Sequence, residues 1–296
     1  MNSEIEKETV ITNDPEFISP KIDYAFKQMM NSKIALKNFL STVLKIEEKN
    51  IDDIQYIDTH TLKEYDDDKY VVMDVRLLLK DKCEIDIEMQ VMSFKHWTDR
   101  VVYYSSRMLS EQMKRGQDYG KFIKCVSISI LDFNIFDKNS YPGYYSSYHI
   151  REDSDGRIFA DLLEFHLIEL PKISKILTIN SEDDLLIWAK FINSKNREEM
   201  VKLTEKNEGI KAAYDELLSL ENDDERRQIY RIREKAIMDY KVQTRLMREE
   251  GRQEEKLQTA KNMLKKGLSI EIINDITELS IEKIKELQKE INEEVN

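Results

Sequence analysis

The sequence predicts an α/β domain followed by an all-α C-terminal region. From residue 21 to about residue 170, helical and β-type hydrophobic patterns alternate along the chain, which is typical of an α/β domain. From residue 182 to residue 295 there is no proline, and only Gly209, Gly251 and Gly267 interrupt a helical periodicity. The 296 residues include only 7 Gly and 4 Pro, which is too few for the many tight turns of an all-β fold.

Length and composition also predict the domain organisation. A chain of 296 residues favours about two domains at roughly 150 residues each. Residues 1–20 are expected to form a flexible N-terminal lead that ends at the Ser19-Pro20 pair. The α/β domain is then assigned to residues 21–180, a helical connector to residues 181–225, and a long basic helix with a small helical module to residues 226–296.

Several function classes are excluded by missing motifs. The sequence has no GxSxG, Walker A or GxGxxG pattern, which argues against hydrolase elbows, P-loop enzymes and dinucleotide enzymes. Cys83 and Cys125 are far apart, so they predict neither a disulfide framework nor a thiol zinc site. The four histidines show no paired spacing and are interpreted as structural. No apolar run approaches the roughly 18 residues of a membrane span, so a cytoplasmic location without a membrane partner is expected.

Within the α/β part, residues 22–30 and 35–44 predict two amphipathic helices with a hinge near Asn31-Ser32. Two β-rich segments follow at residues 70–80 and 83–91, and they form the best hairpin candidate of the chain. Further strands are predicted at residues 122–133, near 148–152 and at 159–170.

The second arm of the hairpin alternates strictly between polar and apolar residues. Glu84, Asp86, Glu88 and Gln90 fall on one face of the strand, and its apolar residues fall on the other. One interpretation is an ordinary strand with a solvated acidic face. The other is a functional site, because the first arm places Asp74 alone in an apolar stretch, where a carboxylate needs a partner.

The turn geometry predicts that partner. If the hairpin turns over residues 80–82, Asp74 lies opposite Glu88, and a shift of register sets it opposite Gln90. In either register the two side chains share a face, with Cβ atoms about 5 Å apart. Two carboxylates this close normally share a proton or a cation. Mg²⁺ suits such oxygen ligands and the hydrolysis of phosphodiesters.

These residues together resemble the recombination-promoting nuclease and transposase family of the PD-(D/E)XK nuclease superfamily. The segments that carry the resemblance cover roughly residues 18–170, and they read Lys21-Ile-Asp23-Tyr24-Ala-Phe26-Lys27, Val72-Met-Asp74-Val-Arg76, Asp86-Ile-Glu88-Met-Gln90, and a Tyr/Arg-rich helix from Trp97 to Gln112. The resemblance implies a restriction-endonuclease-like mixed sheet flanked by helices.

The resemblance also implies roles for single residues. Asp74 and Glu88 are expected to bind the metal, which is Mg²⁺, or Mn²⁺ or Ca²⁺ in its place. Gln90 stands where the superfamily usually carries Lys, so it can hydrogen-bond the attacking water but brings no positive charge. Asp23 matches an acid that related nucleases aim at the metal. Its alternative interpretation is a solvent-facing acid in the first turn of a helix.

DNA is the expected partner. Arg100, Tyr103 and Arg107 lie on the helix after the hairpin, where they could contact phosphates and bases, and Lys27 is placed with them. Such residues can instead lie with their stems over a sheet. Residues 226–266 hold 13 Lys or Arg and 6 Asp or Glu, which indicates either an arm on DNA or a solvated helix.

The last helices, in residues 260–287, predict a small module with N-caps at Ser269 and Ser280. This module could act as a helix-turn-helix or as a homo-oligomer contact. Two functions remain open at this point. The first is a metal-dependent DNA endonuclease, and the second is a weakly active or inactive DNA-binding or assembly protein on a nuclease scaffold.

Overall fold

A computed structural model describes residues 17–51, 53–57, 75–79, 82–113, 118–176 and 183–294. Most of the predicted N-terminal lead lies outside these residues. So does Asp74, together with most of the first arm of the predicted hairpin.

Two α-helices begin the described chain, six strands with one α-helix between the third and fourth follow up to residue 169, and the rest is helical. The strands are β1 (Ile54–Tyr56), β2 (Val75–Leu79), β3 (Cys83–Gln90), β4 (Lys124–Leu131), β5 (Tyr145–Arg151) and β6 (Ile158–Glu169). The α-helices are α1 (Asp23–Met29), α2 (Lys33–Leu44), α3 (Trp97–Glu111), α4 (Asp184–Ile192), α5 (Arg197–Thr204), α6 (Glu208–Glu221), α7 (Asp224–Lys265), α8 (Ile270–Thr277) and α9 (Ile281–Glu294).

The strands form one mixed sheet in the order β1-β2-β3-β4-β6-β5. Strands β3, β4 and β6 run parallel, while β1, β2 and β5 pair antiparallel with their neighbours. Helix α3 makes the crossover between the parallel strands β3 and β4, as a parallel connection requires. The predicted fold class is therefore confirmed, including the helical C-terminal region.

The first two helices have the predicted positions and meet at the predicted hinge. Ser32 in the hinge caps α2, because its hydroxyl accepts a hydrogen bond from the backbone N–H of Ala35 at 3.4 Å. Both helices pack against α6.

Asn38 joins helices α2, α4 and α6. Its Oδ1 accepts a hydrogen bond from the indole N–H of Trp188 at 2.9 Å, and its Nδ2 donates to Glu48 at 2.6 Å. Trp188 also packs edge-on against Phe39, with ring centroids 5.3 Å apart. Gly209 of α6 approaches so closely that a Cβ placed on it would lie 2.3 Å from the Cβ of Asn38. Glycine at this position is therefore required by packing.

The chain divides into two compact units, residues 1–234 and residues 235–296. The second unit has a core of its own, formed by residues from α7, α8, α9 and the turn between α8 and α9, namely Ala260, Ile273, Leu279, Ile284 and Leu287. Both predicted N-caps are confirmed, because Ser269 accepts from the N–H of Ile272 and Ser280 from that of Lys283. The four-part division assigned from the sequence stays a prediction. Within the described ranges, no helix is long and apolar enough to cross a membrane.

We expect Gly209→Ala to lower the free energy of unfolding by about 1–3 kcal/mol, the usual effect of overpacking. In a helix, alanine is ordinarily favoured over glycine, but here the new Cβ must displace Asn38 and disturb its hydrogen bond to Trp188. Chemical denaturation followed by circular dichroism measures the effect. Gly251→Ala is the matched control, since a Cβ there meets nothing within 4 Å, and it should be neutral or stabilising. A stabilising Gly209→Ala would contradict the close packing.

Candidate active site

Strands β2 and β3 pair in one of the two predicted registers. Val75 is paired with Ile87, and Leu79 with Cys83, so the numbers of paired residues sum to 162. This is the register from which Asp74 was predicted to lie opposite Glu88. Asp74 itself is outside the described residues, so its position stays a prediction.

The acidic face of β3 is buried beneath α3. Glu84, Asp86 and Glu88 are only 5–6% exposed. Glu84 is paired with Cys125 of β4, and Cys125 packs against Met108 of α3. Because paired residues share a face, α3 covers the face that carries the acids. The interpretation of an ordinary solvated strand face is therefore wrong.

Glu84 is well compensated in this buried layer. Its Oε1 lies 2.5–2.6 Å from the guanidinium nitrogens of Arg76, and its Oε2 accepts a hydrogen bond from Gln112 at 3.2 Å. Arg76 also lies 3.6 Å from Glu111 of α3. A buried carboxylate with this set of donors has a structural role, since it holds α3 on the sheet.

Glu88 is compensated much less. Its described ion-pair partner is Arg100, with Nη2 3.6 Å from Oε1, which is longer than a hydrogen bond. The Arg100 guanidinium also lies 5.3 Å from the ring centroids of both Phe94 and Tyr104. Burial raises the pKa of Glu88, and the charge of Arg100 opposes this only in part. A cation would therefore stabilise the ionised Glu88.

Gln90 ends β3 and is half-buried. The side-chain Nε2 of Gln90 donates to the backbone carbonyl of Met92 at 3.2 Å. The backbone carbonyl of Gln90 accepts from the backbone N–H of Asp132 at 2.9 Å. Asp132 in turn accepts a hydrogen bond from the ammonium of Lys21 at 2.6 Å. The ends of β3 and β4 and the start of α1 are thus tied together. Sequence reasoning missed Asp132, whose one signal is an acid directly after a buried strand.

Asp23 and Lys27 both lie on α1. A carboxylate oxygen of Asp23 accepts from the N–H of Tyr24 at 2.8 Å, and the other lies 3.9 Å from Arg233. Lys27 is half-buried in the last turn of the helix. The cationic neighbour of Asp23 is thus Arg233, whereas that of Glu88 is Arg100.

The predicted DNA contacts on α3 differ in their surroundings. Arg100 reaches the buried Glu88, as described above. Arg107 pairs with Glu111 one turn later, at 3.2 Å. Tyr103 is 56% exposed and packs edge-on against Tyr104, with ring centroids 5.3 Å apart. Tyr103 is thus open to a ligand, and Arg100 lies beside the acid.

A second polar cluster was not found from sequence motifs. Oε1 of Glu164 lies 2.9 Å from Nε2 of His166 and 3.4 Å from Nε2 of His149. The ammonium of Lys124 lies 2.9 Å from Oε2 of Glu164 and 2.7 Å from Asp161. These residues come together because β5 pairs with β6. No recognised sequence spacing links them.

A mixed sheet flanked by helices, with a buried carboxylate on its central strand, defines a nuclease-like α/β scaffold. The family model of the PD-(D/E)XK nuclease family transposases matches residues 20–246, about three quarters of the chain. The chain belongs to this family, which confirms the resemblance found in its motifs. No curated protein and no solved structure matches it.

In the presence of a metal chelator, the substitution Glu88→Gln should raise the free energy of unfolding at pH 8 by about 1 kcal/mol. This is within the usual range for single substitutions. The folded-state pKa of Glu88 is raised above its unfolded value, so the wild type loses stability as the pH rises from the unfolded pKa through the folded one. The glutamine variant does not lose stability in this way. The difference in the free energy of unfolding between variant and wild type should therefore vanish below about pH 4. Denaturation across this pH range measures it.

Glu198→Gln is the control for that experiment, because Glu198 is exposed and ion-paired with Lys202 on the surface of α5. It should change stability little at any pH. A Glu88→Gln variant that is less stable than the wild type at pH 8 would show that Arg100 fully compensates the buried charge.

Proposed function

We propose that the protein is a metal-dependent DNA endonuclease that hydrolyses phosphodiester bonds. The observation that carries the proposal is Glu88, a buried and poorly compensated carboxylate at the centre of the sheet. The chain belongs to a nuclease family, and such a carboxylate suits the hydrolysis of phosphodiesters. The proposal covers hydrolysis, and it does not include strand transfer.

Asp74 is proposed as the second carboxylate. The described pairing of Val75 with Ile87 supports this, because the same register continued by one residue would set Asp74 opposite Glu88. Directly paired side chains on one face have Cβ atoms about 5 Å apart, close enough for both carboxylates to hold one ion.

The donor set fits a divalent metal. Carboxylate oxygens are the preferred ligands of Mg²⁺, Mn²⁺ and Ca²⁺. Glu88 has an unfavourable ionised state in its buried position, and positive charge would relieve it. Bound by Asp74 and Glu88, Mg²⁺ would supply a positive charge for the phosphate and activate a water molecule.

Gln90 is proposed to orient the attacking water. It is two residues after Glu88 and therefore lies on the same face of β3. Its backbone is fixed by the hydrogen bond from Asp132, so its side chain starts from a defined position at the end of the strand. An amide can donate and accept hydrogen bonds but carries no charge, so Gln90 is assigned a positioning role.

Arg100, Tyr103, Arg107 and Lys27 are proposed to contact DNA. Arg100 suits a phosphate next to the metal site, because its guanidinium lies beside Glu88 and 5.3 Å from the ring centroids of Phe94 and Tyr104. Tyr103 is exposed enough for a base to stack on it. Attraction to DNA must come from such local groups, since the whole chain carries a net charge of −12.

We expect the wild type to nick supercoiled plasmid DNA with Mg²⁺ or Mn²⁺ and to be inactive in EDTA. Asp74→Asn and Glu88→Gln should each reduce the cleavage rate by at least about 100-fold, because each removes a charged ligand of an ion that contributes several kcal/mol to catalysis. Gel analysis of nicked and linear DNA over time measures the rate.

Glu198→Gln, an exposed carboxylate on α5, should cleave like the wild type and controls for contaminating nuclease. Circular dichroism and DNA band shifts show whether the inactive variants still fold and bind. Cleavage that survives in Glu88→Gln would exclude Glu88 as a ligand. A folded wild type that shifts DNA but cleaves in none of the metals would favour the alternative, a DNA-binding or assembly protein on a nuclease scaffold.

Substitutions of Gln90 test its positioning role. Gln90→Lys should retain or increase the cleavage rate, because it adds the positive charge that the superfamily usually places there. Gln90→Leu has a similar size but no hydrogen-bonding group, and its rate should fall by about 10- to 100-fold with little change in DNA affinity. A Gln90→Leu variant as fast as the wild type would rule out any role of the amide in positioning water.

A further inference from the structure

We propose that a transition-metal ion of the Zn²⁺ class binds at the second polar cluster, on strands β5 and β6. The ligands are His149, Asp161 and Glu164, each of which offers one ligand atom, and these atoms lie within 4.8 Å of one another. His166 lies next to Glu164, with its Nε2 2.9 Å from Oε1 of that residue. The proposal does not depend on nuclease activity.

The distances around Glu164 are those expected between ligands of one ion. Nε2 of His166 and Nε2 of His149 lie 2.9 and 3.4 Å from the same oxygen, Oε1. With metal–ligand bonds of about 2.05 Å, neighbouring ligands are separated by about 2.9 Å at right angles and about 3.3 Å in a tetrahedron. Nε2 of His149 and Oε1 of Glu164 are therefore placed as two neighbouring ligands of one ion would be.

His166 supplies the independent evidence for a ligand. It is 3% exposed, and among the described residues its Nε2 has no hydrogen-bond partner, despite lying 2.9 Å from Glu164. A buried nitrogen in this state is unusual, because buried polar atoms are nearly always hydrogen-bonded. An ion bound next to Glu164 would give it a partner.

The other nitrogen of His166 supports the same conclusion. Nδ1 lies 2.8 Å from the hydroxyl oxygen of Tyr145. If Nδ1–H donates to Tyr145, Nε2 keeps a lone pair that faces Glu164. Metal-binding histidines usually hold their second nitrogen in such a hydrogen bond, which fixes the tautomer and the ring.

An irregularity in the sheet brings Asp161 to the cluster. His149 is paired with Glu164, but the next residue of β5, Ile150, is paired with Ala160. Three residues of β6, 161–163, thus lie between the partners of two consecutive residues of β5. Such bulges change the direction of side chains and often occur next to functional sites.

Lys124 supports the ligands without using all of their oxygens. Its ammonium contacts Oε2 of Glu164, whereas the imidazoles face Oε1. Two carboxylates and one ammonium leave the cluster with a net charge of −1 when both histidines are neutral, so a dication remains favoured. Nitrogen ligands select Zn²⁺ or Co²⁺ over Mg²⁺.

The cluster is separate from Glu88. Glu164 is paired with Val126 of β4, while Cys125, the neighbour of Val126, lies on the face covered by α3. Successive residues of a strand point to opposite faces, so the cluster lies on the face opposite to α3. Loss of metal at one site therefore need not affect the other.

Isothermal titration of the metal-free full chain with Zn²⁺, and with Mg²⁺ for comparison, tests the proposal. We expect one Zn²⁺ per chain with at least about 100-fold preference over Mg²⁺ at this site. His149→Ala and Asp161→Asn should weaken Zn²⁺ binding by at least about 100-fold, more than the loss typical of residues behind the ligands. Co²⁺ should give visible absorption that both variants lose.

Two controls separate this site from others. His96→Ala removes an exposed histidine before α3, and Glu88→Gln removes the proposed nuclease ligand, and both variants should keep the Zn²⁺ affinity of the wild type. His149 is half-buried on an edge strand and Asp161 is largely exposed, so both variants should fold, as circular dichroism would verify. A wild type that binds no Zn²⁺ at micromolar concentration, or a folded His149→Ala with unchanged affinity, would overturn the proposal.

Discussion

The burial of three carboxylates on one central strand is the constraint on which this structure depends. Strand β3 lies between β2 and β4, and α3 covers the face that carries Glu84, Asp86 and Glu88. An ionised carboxylate in such a position costs several kcal/mol unless cations or hydrogen bonds compensate it. The charged residues of β2 and α3 follow from this requirement. Arg76 and Arg100 supply positive charge from these two elements, and their contacts with Glu84, Glu88 and Glu111 also hold α3 on the sheet.

The compensation is unequal along the strand, and it separates the structural role of Glu84 from the role proposed for Glu88. Glu84 has a close guanidinium and an amide donor, which are enough for a stable buried ion pair. Glu88 has a single, longer contact to a guanidinium that is shared with two rings. Groups left in such unfavourable states are concentrated at functional sites, where a ligand provides what the protein does not. Of the two glutamates, Glu88 is therefore the better match to the proposed metal ligand.

Local patterns in the sequence were enough to predict most of this framework. The alternation in residues 83–91 predicted which residues share a face, and the short turn at residues 80–82 predicted a register that the structure has. The hinge at Ser32 and the caps at Ser269 and Ser280 were also predictable, because capping depends on neighbouring residues alone.

The features that could not be predicted depend on distant parts of the chain. An alternating strand normally has one solvated face, and only the position of α3 shows that the acids of β3 are buried. The cluster around Glu164 depends on pairing across β5 and β6 and on an irregularity that sequence motifs do not encode. The partner of Asp23 comes from α7, about 210 residues away in sequence.

The two proposed sites lie on one sheet and offer different ligand chemistry. Strand alternation separates them, since Glu88 shares a face with α3, whereas Glu164 and His166 lie on the other face. Their ligand types differ as well. The proposed nuclease site offers carboxylate oxygens, which suit Mg²⁺, while the cluster on β5 and β6 adds imidazole nitrogens, which suit Zn²⁺. A single ion species would therefore not fill both sites equally. The sites could differ in occupancy even in the same solution, because selectivity follows from the ligands that each face of the sheet presents.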